Sequence, residues 1–107
     1  MINATFLVNE SGLISGFQIS GHANYSKNQP DIICAAVSSA AYMVTNTITD
    51  VIKIAADVSV YNSGKMFLKI KKDDYNPCKD ILQGLKLHLI ALEELYPENI
   101  VVNYMEV

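Results

Sequence analysis

Cys34 and His22 are the residues whose types and spacing suit nucleophilic chemistry in this chain. A thiol attacks a carbonyl well only as thiolate, so it needs a nearby base or cation and a site that favours negative charge. His22 ends one predicted element and Cys34 opens the next, within Gly21-His22-Ala23 and Asp31-Ile32-Ile33-Cys34-Ala35-Ala36-Val37-Ser38. Pro30 disfavours helical geometry in Gln29, and Asp31 is a good N-cap, so a helix starts at about Ile32. That places Cys34 in a first turn, where unpaired backbone N–H groups and the helix dipole stabilise a thiolate or an oxyanion. Spacing alone also fits a buried thiol and an ordinary strand-end histidine.

The neighbours carry secondary roles with plain structural alternatives. Asp31 caps the helix or also orients His22 as a third catalytic member. Ser38 lies one helical turn beyond Cys34 on the same face, able to touch substrate or simply to bond its own backbone. Tyr25 is a loop aromatic, either substrate-contacting or merely exposed. Cys78 is the rival thiol, because Asn76-Pro77 makes an equally good helix start. It lacks a histidine on a neighbouring loop, and His88 lies about 15 Å along the same helix by helical rise. His88 itself reads as a packed or half-buried helix residue. Two cysteines and two histidines without CxxC or HxxxH spacing argue against zinc, and no glycine-rich phosphate loop or paired-carboxylate motif is present. No cofactor or metal is expected.

The elements that must position these residues follow from pattern. Ile2, Ala4, Phe6 and Val8 share one face of a strand over 2–8, Asn9-Glu10-Ser11-Gly12 turns the chain, and 13–20 returns with Leu13, Phe17 and Ile19 on one face. Residues 25–30 form a loop. A helix from about Ile32 to Ala55, rich in alanine and serine, is expected to be central and buried. A second hairpin spans 57–61 and 65–71 around Asn62-Ser63-Gly64, with Met66, Leu68 and Ile70 facing one way. A second helix runs from an Asn76 cap to about Tyr96 with Leu82, Leu85, Leu89 and Leu92 in one stripe, Pro97 stops it, and 99–105 makes a last strand. The order ββαββαβ specifies a single α+β domain over 1–107, a sheet covered by two helices.

Composition narrows the classes. Half of the 107 residues are apolar and 18% are charged, which fits one folded domain. The net charge is -3 and all eight basic residues are lysines. Direct nucleic-acid binding is disfavoured, and Lys69, Lys71 and Lys72 read as a solvated strand face. Residues 32–49 carry no charge and match a membrane span in length, but interspersed serine and threonine make a core helix the better reading. The start lacks a secretory pattern, so a cytoplasmic location with reduced thiols and no membrane partner is expected.

The strings Gly21-His22-Ala23 and Asp31 to Ser38, with twelve residues from histidine to cysteine, resemble the ribosomal-processing cysteine proteases of bacteria, the Prp family. Length, element order and the closing Glu98-Asn99-Ile100-Val101-Val102-Asn103-Tyr104 are similar to that family along the whole chain. The resemblance implies a homodimeric thiol endopeptidase. Its substrate would be a large-subunit ribosomal protein, the one numbered twenty-seven, whose N-terminal extension is removed after paired phenylalanines. It further implies Cys34 as nucleophile and His22 as general base, with Asp31 and Ser38 as matching motif positions. The family loop usually carries glycines where Ser26 and Gln29 stand here, which implies a stiffer segment over 23–30. The alternative is a non-catalytic ribosome-associated module that binds a basic protein tail, and a purely structural dimer subunit is a third reading.

Overall fold

The computed structural model describes residues 1–21 and 32–107. Five strands and two main helices follow the expected order: β1 Ile2–Val8, β2 Ile14–Ser20, α1 Ile32–Asn46, β3 Asp57–Val60, β4 Met66–Lys69, α2 Tyr75–Leu95 and β5 Ile100–Glu106. They make one sheet in the order β3-β4-β2-β1-β5. β1 pairs antiparallel with β2 and parallel with β5, while β2 and β3 flank β4 in antiparallel pairing.

One face of the sheet is apolar because the strand periods match. The register sets Ala4 opposite Ile19, Phe6 opposite Phe17, and Phe17 opposite Leu68, so these side chains line up on one side. Ile2, Met66 and Ile100 join that face, and Ile33, Val37, Ala41, Val44 and Ile48 from α1 and Cys78, Leu82, Leu85 and Leu89 from α2 close over it. Each such fully buried aliphatic side chain contributes roughly 1.5–3 kcal/mol through the hydrophobic effect. At the far edge, the Glu93 carboxylate on α2 accepts the Val102 N–H of β5 at 2.7 Å, which satisfies one donor of an edge strand.

The hairpins close with the turn chemistry their residues allow. Asn9 Oδ1 accepts the N–H groups of Ser11 and Leu13, both at 2.9 Å, and Gly12 takes φ 81°. β2 begins one residue later than expected, leaving Leu13 outside it, and it carries a bulge. Leu7 pairs with Gly16 and Val8 with Ile14, leaving Ser15 as the extra residue. The Ser15 carbonyl then accepts the Ile70 N–H at 2.9 Å, which ties the two hairpins together.

Three expectations need correction. The first helix ends well before Ala55: after Asn46 it widens into a π-type turn over Thr47–Val51. Thr47 and Thr49 donate their hydroxyls to the carbonyls of Met43 and Thr45, at 2.7 and 3.1 Å, a back-bonding that competes with regular helix. Lys53 then takes a left-handed φ of 64° and Ile54 N–H returns to the Ile48 carbonyl, which stops the helix. Second, α1 buries a single stripe; Ile32, Tyr42 and Met43 are exposed, and its small-residue side, with Met43, faces α2 across an open groove of about 570 Å3. The segment Ile32–Val51 has a membrane-like length and mean hydropathy of 1.4, and its stripe packs as a core helix does. Third, α2 begins at Tyr75, after a 3-10 turn at Lys72–Asp74, so Asn76 lies inside the helix and Pro77 is its third residue. Proline is tolerated there because first-turn N–H groups have no intrahelical partner.

Two glycine substitutions should shift stability in opposite directions. A Cβ at Gly16 would collide with the Leu68 backbone carbonyl and lie 2.9 Å from Lys69 Cα, so Gly16→Ala forces β2 from β4. We expect a loss of about 1–3 kcal/mol, as for overpacking. At Gly84, in the middle of α2, a Cβ meets nothing within 4 Å, and Gly84→Ala should gain about 0.4–1 kcal/mol. Urea unfolding midpoints of the two variants check both signs.

Candidate active site

Cys34 is the third residue of α1, half-buried, and it opens on a small pocket of about 100 Å3. A first-turn position sets its sulfur near the positive end of the helix dipole. Ser38, one turn on and also half-buried, lines the same pocket, as the helical spacing requires. Ile2, Ile19 and Val37 form an almost fully buried apolar floor. Gly21 closes one side, where β2 ends; its φ of 87° and a Cβ position overlapping the Met1 carbonyl make glycine the residue that fits.

The opposite side of the pocket comes from the β3–β4 turn, through Ser63 and Gly64. Gly64 takes φ 90°, and its N–H and the Tyr61 N–H close the turn on the carbonyls of Tyr61 and Lys65, both at 2.9 Å. Sequence reasoning read these residues only as a hairpin turn. No local signal links them to Cys34, because the proximity arises from the sheet order, which sets β4 directly beside β2.

His22, Tyr25 and Asp31, together with Ser26, Gln29 and Pro30, lie outside the described residues. Of the sequence-predicted site residues, the described structure brings together Cys34 and Ser38. It separates Cys78 from them. Cys78 is 0% exposed, in the core between α2 and the sheet. Burial raises its thiol pKa above the ordinary value of 9.0, and the Asp74 carboxylate adds to the rise, so it is held protonated. Its place in the first turn of α2 does not offset these two effects. His88 is exposed and lines the groove between α1 and α2 rather than packing inward. Among the described residues, no three His, Cys, Asp or Glu side chains cluster as metal ligands do.

Comparison with known proteins places this geometry. The sequence model described as "Cysteine protease Prp" matches residues 1–101. The chain belongs to the cysteine protease Prp family. It is 31% identical over 106 residues to the ribosomal processing cysteine protease Prp of Staphylococcus aureus strain Mu50, covering 97% of this chain and 99% of that protein. The Bacillus subtilis protein of the same name is 22% identical, with 94% of each chain covered. Among solved structures, the S. aureus Prp with a covalently linked product peptide superposes with a TM-score of 0.88 at 27% identity, over 98% of this chain and all of that one. The same S. aureus protease with a substrate peptide gives a TM-score of 0.86 at 26% identity, with the same coverage. Prp membership makes the chain a cysteine protease, and the five-stranded α+β domain is the Prp fold.

The environment of Cys78 has a measurable consequence in this Prp protein. Its raised pKa means that the folded chain holds the thiol proton more tightly than the unfolded chain does. The stability this contributes is fully present below the ordinary value of 9.0 and is lost as pH rises through the raised value. Unfolding free energy of the wild type should therefore fall more steeply than that of Cys78→Ala as pH rises above 9.0. Parallel urea titrations across that range check it; equal slopes would remove the effect.

Proposed function

We infer that this chain is a ribosomal-processing endopeptidase with Cys34 as nucleophile and His22 as general base. The observation that carries the reading is the contrast between the two thiols. Cys34 stands half-buried at a helix start and opens on a pocket, whereas Cys78 is sealed in the core. A cysteine protease needs one accessible thiol in a setting that favours thiolate, and Cys34 meets both demands. Support for His22 comes from chain connectivity. Gly21, the residue before His22 in the sequence, lines the Cys34 pocket.

In this mechanism His22 takes the thiol proton and Cys34 Sγ attacks the scissile carbonyl carbon. The first-turn amides of α1 hold the resulting oxyanion. Collapse expels the amine, which takes its proton from His22, and leaves a thioester on Cys34. Water, deprotonated by His22, attacks the thioester and restores the thiol as the new carboxylate leaves. Asp31 caps α1 or orients His22, and Ser38 and Tyr25 serve as substrate contacts.

The relatives named ribosomal processing proteases, the S. aureus one solved with a product peptide and with a substrate peptide, support a ribosomal protein as substrate. We assign the N-terminal extension of the large-subunit protein numbered twenty-seven, cleaved after paired phenylalanines in the cytoplasm. The net charge of -3 suits a basic ribosomal protein better than nucleic acid. The working form is a homodimer, a reading supported by exposed apolar side chains such as Tyr42, Met43 and Leu87 on the helical side.

The test is cleavage of the extended ribosomal protein by single variants. Cys34→Ala and His22→Ala should each lower turnover by on the order of 10³-fold or more, as loss of a nucleophile or its base does elsewhere. Cys78→Ala should retain turnover within a few-fold. Undiminished cleavage by Cys34→Ala would overturn the assignment. Light scattering of the purified wild type reads the dimer directly.

A further inference from the structure

The pairing of β4 with β2 sets the β3–β4 turn against the candidate active site. Its own backbone closes on itself through the Gly64-to-Tyr61 and Tyr61-to-Lys65 hydrogen bonds, and Ser63 and Gly64 are exposed to solvent. Nevertheless these two residues complete the pocket at Cys34, facing the apolar floor of Ile2, Ile19 and Val37. Among the described residues, the lining holds hydroxyls, a thiol and no charged group. A charged side chain entering it would lose hydration with no partner from that lining, whereas an apolar one would gain from the floor. The size is equally informative. About 100 Å3 exceeds the share of liquid volume of one water, roughly 30 Å3, and falls short of the roughly 150 Å3 dry cavity that holds a benzene ring. In that range one wall residue decides which side chain fits.

We propose that the β3–β4 turn is the specificity-determining wall of this protease, with Ser63 setting the size limit for an uncharged side chain that flanks the scissile bond. The proposal rests on Cys34 being the nucleophile, because only then does the pocket lie beside the bond being cut. Ser63 acts here on substrate fit and takes no part in the proton or acyl transfers. Neither family motif nor local sequence pattern points to it; the sheet order alone brings the turn to the pocket.

The experiment compares wild type with Ser63→Gly and Ser63→Leu on three peptide substrates that differ only in one residue flanking the scissile bond, alanine, leucine or phenylalanine. The set is made once for each flanking position. An exposed turn residue tolerates substitution, and unchanged thermal unfolding of both variants verifies this. At one flanking position, Ser63→Leu should lower the ratio of kcat/KM for the phenylalanine peptide over the alanine peptide by about tenfold, and Ser63→Gly should raise it. Ratios that stay constant at both positions, whether or not absolute rates change, would overturn the proposal. Cys34→Ala is assayed beside them. If it still cleaves, the nucleophile assignment fails and this proposal fails with it; if it is inactive while the Ser63 ratios do not move, the specificity wall alone is wrong.

Discussion

The packing of one apolar stripe of α1 onto one face of the sheet is the constraint on which the rest depends. Ile33, Val37, Ala41, Val44 and Ile48 can reach the sheet only if α1 lies in one rotational setting. That setting puts Ile33 and Val37 inward and turns Cys34 and Ser38 partly outward, toward the end of β2. The position of the thiol is thus a by-product of core formation. Its exposure is fixed by the two neighbours in sequence that must be buried.

The same sheet face treats the second helix differently. α2 buries Cys78, Leu82, Leu85 and Leu89 as its stripe, so a thiol falls on the inward side. Both thiols stand in the first turn of a helix, yet only Cys34 opens on a pocket. Desolvation opposes the thiolate at Cys78, and the Asp74 carboxylate opposes it further. Reactivity of a cysteine at a helix start is therefore decided by which side of the stripe it occupies.

Much of this was legible from pattern. The alternation of Ile2, Ala4 and Phe6 and of Met66, Leu68 and Ile70 gave the buried faces of the strands, and the leucine spacing gave the buried stripe of α2. Helix ends were less legible. Threonine back-bonding and the left-handed Lys53 ended the first helix early, because side-chain hydroxyls compete with the backbone in ways that hydrophobic period does not record. Asn76 and Pro77 matched a helix start so well that the true start at Tyr75 was masked. The exposed setting of His88 was also misread, since its seven-residue spacing from Ile81 does not reveal the groove between α1 and α2.

The sequence by itself determined the elements, their order and the placement of Cys34 in the first turn of a helix, because those depend on neighbours within a few residues. It also carried the family motif. Only the tertiary structure decided that Cys34 opens on a pocket while Cys78 is sealed, and that Ser63 and Gly64 stand across from the thiol. These are contacts between segments far apart along the chain. They exist because β4 pairs with β2 and because a single apolar face must be covered, conditions that no local pattern contains.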